Sequence, residues 1–464
     1  MNLLDTVAAV STPPGKGGVA LIRISGADAV RIGEQVFVPH HQKPLSEQTV
    51  SRLCYGEIVE RGEKGECRSI DDGMAVVFRA PHSFTGEDTV EITCHGGVLV
   101  TREVLTAVLS AGARHAEAGE FTRRAFLNGK MRLTEAEALG NLLEAQTDAQ
   151  MRLARSGMQG RLSSEMNTLY SALRTVMTSV YATIDFPEED LAEMSREEMI
   201  SSLLAVSEGI RKLKRTYRTG HAISEGVPTV ICGSANAGKS SVYNRIVGYD
   251  AAIVTEIEGT TRDVLREVAT LGKTTLLLCD TAGLRETADP VESIGIARSR
   301  KEMEQAGLIL AVFDGAQGLA EEDRTFAKEL AAMGVPRIAL WNKTDLTEAL
   351  PEEAFVSCFD ALIPICAKDG TGFDQLARTV DGLFIDGELD VGKDAIVTGA
   401  RQAAALQNAE EALVSSIRDL ESGLPMDLCC VGIECAMSAL GEVDGREIGE
   451  EIVGEIFSKF CVGK

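Results

Sequence analysis

The segment Gly233-Ser-Ala-Asn-Ala-Gly-Lys-Ser240 spaces two glycines, a lysine and a hydroxyl as a phosphate-binding loop requires. Thr229–Cys232 before it reads as a buried strand and the residues after it as a helix, the context such a loop needs. Glycines let successive backbone N–H groups turn toward phosphate oxygens. Lys239 can bring a point charge to the β- and γ-phosphates, Ser240 can ligate Mg²⁺, and the helix start adds its positive end.

Four further segments fix the base and the class. Asp280-Thr281-Ala282-Gly283 ends an apolar run; Asp280 can reach the second shell of the metal and Gly283 can offer its N–H to the γ-phosphate. Asn342-Lys343-Thr344-Asp345 follows another run. A carboxylate there accepts two hydrogen bonds from N1 and N2 of guanine, and adenine lacks the 2-amino donor, so the predicted nucleotide is GTP. Gly259-Thr-Thr-Arg-Asp263 supplies a switch hydroxyl, Thr261, for Mg²⁺. Ile365-Cys366-Ala367-Lys368 sits where such GTPases carry Ser-Ala-Lys, so the Ala367 N–H is expected to face the base. The predicted GTP contacts are Asn236, Ala237, Gly238, Lys239, Ser240, Ser241, Thr255, Thr260, Thr261, Asp280, Thr281, Ala282, Gly283, Asn342, Lys343, Asp345 and Ala367.

The hydrolytic apparatus reads differently. Many small GTPases orient the attacking water with a glutamine after Asp-x-x-Gly. Here Leu284 stands there, and the nearby carboxylates are Glu286 and Glu292, either of which can equally be a solvated helix-start residue. The local sequence identifies no arginine finger. A potassium ion beside the phosphates can do the same electrostatic work. Asn236 would give it a side-chain oxygen, and Thr255, Ile257 and Thr260 would complete the ring.

The elements that position these residues follow from patterning. The 464 residues are 44% hydrophobic and 25% charged, ordinary globular usage, which excludes a disordered or fibrous chain. No apolar run approaches a membrane span, and the N-terminus lacks the form of a signal peptide. Eleven cysteines without a CxxC pair read as reduced thiols in a cytoplasmic protein. A net charge of −24 opposes autonomous nucleic-acid binding; the cluster Arg211, Lys212, Lys214, Arg215 and Arg218 reads as a solvated helix face. Residues 1–118 alternate short strands and turns, an α+β domain. Leu162 to Ile184 recur at spacings of three and four, a long helix that starts a helical domain over 119–220. Apolar runs alternating with helices over 221–384 predict an inserted α/β domain with a doubly wound sheet. Residues 385–464 return to helix and are expected to pack on the first helical part.

The whole chain resembles the MnmE (TrmE) family of tRNA-modifying GTPases. Besides the GTPase elements, the resemblance rests on Asp5-Thr6, Thr12-Pro-Pro-Gly15, Arg23-Ile-Ser-Gly26, Ser83-Phe-Thr-Gly-Glu-Asp88, Cys94-His-Gly-Gly97, Gly119-Glu-Phe-Thr122, Arg124-Ala-Phe-Leu-Asn-Gly-Lys130 and the ending Phe460-Cys-Val-Gly-Lys464. It implies a first domain similar to the folate-binding modules of one-carbon enzymes, which mediates homodimerisation and holds a tetrahydrofolate derivative, 5-formyl- or 5,10-methylene-tetrahydrofolate. It carries the folate contacts onto Arg23, Glu91, Lys130 and Lys464, and the catalytic glutamate onto Glu292. It further implies an FAD-dependent partner that carries most of the tRNA binding, and a one-carbon transfer to C5 of the wobble uridine. Cys461 is open to two readings, a nucleophile toward uridine or a small buried hydrophobe beside Phe460. The rival function is a GTP-dependent switch in ribosome assembly, like the Era and EngA groups. His95 next to Cys94 suggests a dyad, but adjacent strand side chains point apart.

Overall fold

The computed structural model describes residues 5–40, 43–62, 66–185, 194–248, 266–279, 303–347 and 349–463. The chain divides into two compact units, 1–140 with 444–464, and 141–443.

The first unit is built on a seven-stranded mixed sheet. Its strands are β1 (Val7–Val10), β2 (Val19–Ser25), β3 (Phe37–Pro39), β4 (Cys54–Arg61), β5 (Cys67–Phe78), β6 (Thr89–His95) and β7 (Arg114–His115). Their order is β3-β4-β5-β6-β2-β1-β7, antiparallel except where β1 meets β7. Ala20, Ile22 and Ile24 of β2 alternate with less buried Leu21 and Arg23, so one face carries the core and the other carries polar groups. Helices α1 (Ala29–Val36) and α2 (Val98–Ser110) cover the apolar face through Ile32, Val36, Val104 and Val108.

Helix α3 (Glu120–Leu127) follows β7, and α4 (Leu133–Glu144) follows α3. The last helix, α14 (Glu450–Ser458), packs on them: Val453 and Phe457 meet Leu133 and Ala136, flanked by Phe126 and Phe460. Beyond it, Val462 bridges Ala118, Cys461 O accepts from Gly119 N, and Ser11 Oγ donates to Gly463 O at 2.9 Å. Residues 444–463 therefore belong to the first unit, whereas 385–464 was expected to pack as a whole on the first helical part. The reason is the apolar stripe of α14, which finds its complement on α3 and α4.

The second unit combines a helical core with a six-stranded sheet. Helices α6 (Arg161–Asp185), α7 (Arg196–Ser224), α12 (Ala400–Glu421) and α13 (Met426–Asp444) bury Leu173, Leu203, Ile210, Leu406, Leu413 and Ile433 among themselves; α5 (Asp148–Met158) lies against α7. Ser195 and Glu198 close a capping box at the start of α7. α7 leads through Gly226 into β8 (Val227–Gly233).

The sheet order is β13-β12-β11-β8-β10-β9, with β9 (Arg266–Leu271), β10 (Thr274–Cys279), β11 (Leu308–Asp314), β12 (Arg337–Asn342) and β13 (Ala361–Pro364). All pairs are parallel except the β9–β10 edge hairpin. Every residue of β11 is buried, as helices on both faces require. Helix α8 (Lys239–Val247) leaves β8 toward β9 and β10, and the chain then crosses to β11 on the other side. That reversal opens a crevice at the carboxyl ends of β8 and its neighbours, where doubly wound sheets bind ligands. Helices α9 (Glu321–Ala331), α10 (Glu353–Val356) and α11 (Phe373–Phe384) complete the layers. Among the described residues, no helix is long and apolar enough to cross a membrane.

Candidate functional site

The loop 233–238 joins β8 to α8 and is shaped by two glycines. Gly238 has φ +101, and a Cβ there would lie 2.2 Å from Asn342 Nδ2; Gly233 has φ +141 and faces Val312 O across the sheet. Neither position admits another residue without displacing its neighbour. Asn236 adopts φ +61, so the backbone around it curls into a concavity of N–H groups. Lys239 Nζ folds back over the loop and donates to Ser234 O at 2.8 Å. Ser240 and Ser241 expose their hydroxyls on the first turn of α8. This cradle fits phosphate groups in shape and in donor set.

Beside the loop lies an open cleft of about 550 Å³. Asn342 ties its walls together. Its Nδ2 donates to Ala237 O at 2.8 Å and its Oδ1 accepts from Ala367 N at 3.1 Å. Asn342 is buried, so both bonds form away from water. Asp345, Lys343, Cys366 and Lys368 face the same cleft, as do Asn244, Arg245 and Leu346 from outside the predicted motifs. The Ala367 N–H, expected to face the base, is engaged by Asn342 here. Arg245 Nη2 donates to Lys368 O at 2.9 Å and so holds the Cys366–Lys368 loop against α8. Cys232, under the loop, has its thiol pushed up to about 12 by burial, which makes it an inert wall residue.

Thr255, Ile257, Thr260, Thr261, Asp280, Thr281, Ala282, Gly283, Leu284, Glu286 and Glu292 lie outside the described residues, as does Lys464. The structure brings together Asn236 to Ser241 with Asn342, Lys343, Asp345 and Ala367. Sequence reading missed Asp314, which accepts from Lys343 Nζ at 2.6 Å at the end of β11; its signal was a carboxylate closing a wholly apolar strand.

A second cluster lies on the polar face of the first unit. Arg23 and Glu91 are cross-strand partners on β2 and β6, and Arg23 Nε donates to Glu91 Oε1 at 2.8 Å. The Arg23 guanidinium also lies 5.2 Å from the Phe84 ring centre and 5.6 Å from that of Phe121. Lys130 Nζ donates to Pro81 O at 2.8 Å, so it is tied to the loop that delivers Phe84. Beneath the cluster, Arg124 and Glu120 are each only 1% exposed and pair at 2.9 Å. Arg124 also reaches Glu87, which takes the Ser25 hydroxyl, and Glu120 takes Arg114. Arg114 and a backbone bond from Glu117, together with Arg124, hold the Glu120 carboxyl below its usual range against the opposing effect of burial, which is the largest influence on it. The paired carboxylate and cation, edged by two aromatic rings, fit a flat polar heterocycle.

Cys461, within this unit, is exposed, which removes the buried-hydrophobe reading. Cys94 is buried and pushed up to about 11, chiefly by burial, while His95 points outward to Asp71, so the two form no dyad. Arg211 and Lys214 pair with Glu410, which neutralises part of the basic cluster on α7.

Two family models match the chain. One, described as the GTP-binding protein TrmE N-terminus, matches residues 6–130; the other, the MnmE helical domain, matches residues 133–461. The tRNA modification GTPase MnmE of Symbiobacterium thermophilum is 42% identical over 462 residues, covering 99% of both chains. Those of Ligilactobacillus salivarius and Bacillus subtilis are 40% and 38% identical, each over 99% of this chain and 98% and 100% of their own. Among solved structures, a variant of Aquifex aeolicus Era bound to GDP·AlF4⁻ aligns at 23% identity with 40% of this chain and 66% of its own, with a TM-score of 0.27. On the full-length relatives and on both models, this chain belongs to the MnmE (TrmE) family of tRNA modification GTPases.

Proposed function

We propose that this chain hydrolyses GTP and uses the cycle to drive carboxymethylaminomethyl-type modification at C5 of the wobble uridine, position 34, of certain tRNAs. The carrying observation is the full-length match to tRNA modification GTPases, together with a cradle and cleft of the right donor set. In this reading Asn236 to Ser241 bind phosphate, and Asn342, Lys343 and Asp345 bind guanine. Ser240 and Thr261 hold Mg²⁺; Asn236, Thr255, Ile257 and Thr260 hold K⁺; these ions supply positive charge where negative charge develops. Thr255, Thr260, Asp280, Thr281, Ala282 and Gly283 complete the GTP contacts, and Glu292 orients the attacking water.

Arg23, Glu91, Lys130 and Lys464 bind a tetrahydrofolate derivative, which supplies the one-carbon unit. Glu91 accepts from the pterin N–H groups, and the lysines meet the glutamyl carboxylates. The protein acts in the cytoplasm as a homodimer with an FAD-dependent partner that carries most tRNA contacts, in keeping with the charge of −24. Cys461 is the candidate nucleophile. Mass spectrometry of wobble nucleosides from a deletion strain tests the reading: the substituted uridine should vanish and return with the wild-type gene. Its persistence would overturn the tRNA role. Glu292→Ala should bind GTP normally and hydrolyse it about 10²–10⁴-fold more slowly. Hydrolysis should be much faster in potassium than in sodium, and Asn236→Ala should abolish the difference.

A further inference from the structure

The carboxylate at the end of β11 has no place in the nucleotide motifs, yet it is tied to the cleft through Lys343. Asp314 is 8% exposed, and its two oxygens are both used. Oδ1 accepts from Ala316 N at 3.0 Å, which fixes the carboxylate plane. Oδ2 takes Lys343 Nζ at 2.6 Å. Asp314 and Asn342 are the last register partners of β11 and β12, so the ion pair joins the end of β11 to the residue that follows β12.

Lys343 needs such an anchor. Its φ is +66, a left-handed conformation that a side chain rarely adopts and that must be held from outside. That turn sits between Asn342, which joins the loop 233–238 to Ala367, and Asp345, which faces the cleft. The next residue after Asp314 supports the same turn: Gly315 N donates to Asn342 O at 2.9 Å, and a Cβ at Gly315 would lie 2.8 Å from both that oxygen and Trp341 Nε1. The end of β11 is thus a platform on which the base-recognition turn rests, with one ion pair as its fastening.

We propose that Asp314 is a positioning residue for base recognition: through its ion pair with Lys343 it holds the Asn342–Asp345 turn in the form that meets guanine. This rests on the guanine-nucleotide reading of the cleft. Asp314 touches no nucleotide; it acts on Lys343, and removing its charge frees that side chain and the turn.

The test is GDP titration of the full-length chain, read by calorimetry and by the fluorescence of Trp341, the chain's one tryptophan, which lies next to Asn342. Asp314→Asn keeps the acceptor for Ala316 N but loses the charge. It should weaken GDP about tenfold, the worth of one charge-assisted hydrogen bond. Lys343→Met should weaken GDP as well, and the double variant should be no weaker than Lys343→Met alone, because the two residues act as one unit. Lys343→Arg, which can still pair with Asp314, should recover most of the affinity lost in Lys343→Met. Wild-type affinity in Asp314→Asn, or losses that multiply in the double variant, would overturn the role of Asp314 while leaving the cleft intact. If Asp314→Asn unfolds, Lys343→Arg decides: a loss equal to that of Lys343→Met overturns the proposal. Failure of the wild-type chain to bind GDP would remove the guanine reading itself.

Discussion

The nucleotide cleft and the Arg23–Glu91 cluster solve recognition by opposite means. The cleft is made of backbone: left-handed Gly238, Asn236 and Lys343, a curl of N–H groups, and one buried amide, Asn342, that locks three loops. The cluster is made of side chains that neutralise one another in sequence, from Arg114 through Glu120 and Arg124 to Glu87, with Arg23 and Glu91 above them. A backbone site depends on space and conformation, and its residues come in a few short contiguous segments. A side-chain site depends on charge balance, and its members come from distant strands and helices.

That contrast sets what should break each site. The largest effect is expected in the buried network. Arg124→Ala leaves Glu120, 1% exposed, with Arg114 alone of its two arginines and takes the guanidinium from Glu87, and should destabilise the first unit by about 3 kcal/mol in urea unfolding, with GDP affinity unchanged. A stability change below about 1 kcal/mol would show that the network is not what holds this face together. Next comes the cleft. Gly238→Ala drives a methyl group into Asn342 and into a strained backbone; GDP affinity should fall by about 1–3 kcal/mol in calorimetric titration, with the Arg23–Glu91 face untouched. Ordinary GDP binding in that variant would mean that the close approach is not needed.

A smaller effect is expected on top of the network. Glu91→Ala removes the acceptor but leaves Phe84 and Phe121 beside Arg23, so 5-formyltetrahydrofolate should bind about tenfold more weakly. An unchanged titration would remove Glu91 from the site. The smallest effect sits at the open end of β6. The hydrogen bond that the His95 ring donates to Asp71, followed by the charge of that carboxylate, raises the His95 pKa above the ordinary 6.5. The pair's contribution is complete below that ordinary value and is lost as pH rises through the raised one. NMR titration of His95 should show the elevation, and Asp71→Asn should return it to the ordinary value.

The same contrast explains what the sequence made legible. The cleft was readable because phosphate binding demands fixed types at fixed spacing, so Gly233 to Ser240 and Asn342 to Asp345 declared themselves. Strands β8, β10, β11, β12 and β13 followed from their apolar runs; the antiparallel edge strand β9 did not, because Arg266–Leu271 has no continuous apolar run. Arg23 and Glu91 carried no local pattern; only a family resemblance singled them out, since their partnership is a register fact between β2 and β6. By spacing alone Arg124 and Glu120 are one more i, i+4 pair, and burial is what changes their weight. Helix α13 was not read as a separate element: its buried positions Cys429, Ile433, Ala436, Leu440 and Val443 recur at four and three, but exposed Leu428 and Val431 blur that stripe in the sequence. Asp314 escaped because no motif names it.

The interleaving of the chain has a consequence for how it is made. Helices α6 and α7 emerge from the ribosome early, but α12 and α13, which cover Leu173, Leu203 and Ile210, begin only with Ala400. At about 5–20 residues per second, the apolar faces of α6 and α7 wait on the order of 10–40 seconds for their cover. The first unit waits longer still, because Ser11 donates to Gly463, and α3 and α4 are sealed by a helix that ends at Ser458. The sheet that carries the cleft has its strands between Val227 and Pro364 and needs no later strand; the seven-stranded sheet is likewise continuous over Val7–His115, but α3 and α4 after it stay uncovered until α14. The nascent chain should therefore acquire a protease-resistant nucleotide-binding core before either flanking region becomes resistant, and the order of completion runs from the middle outward.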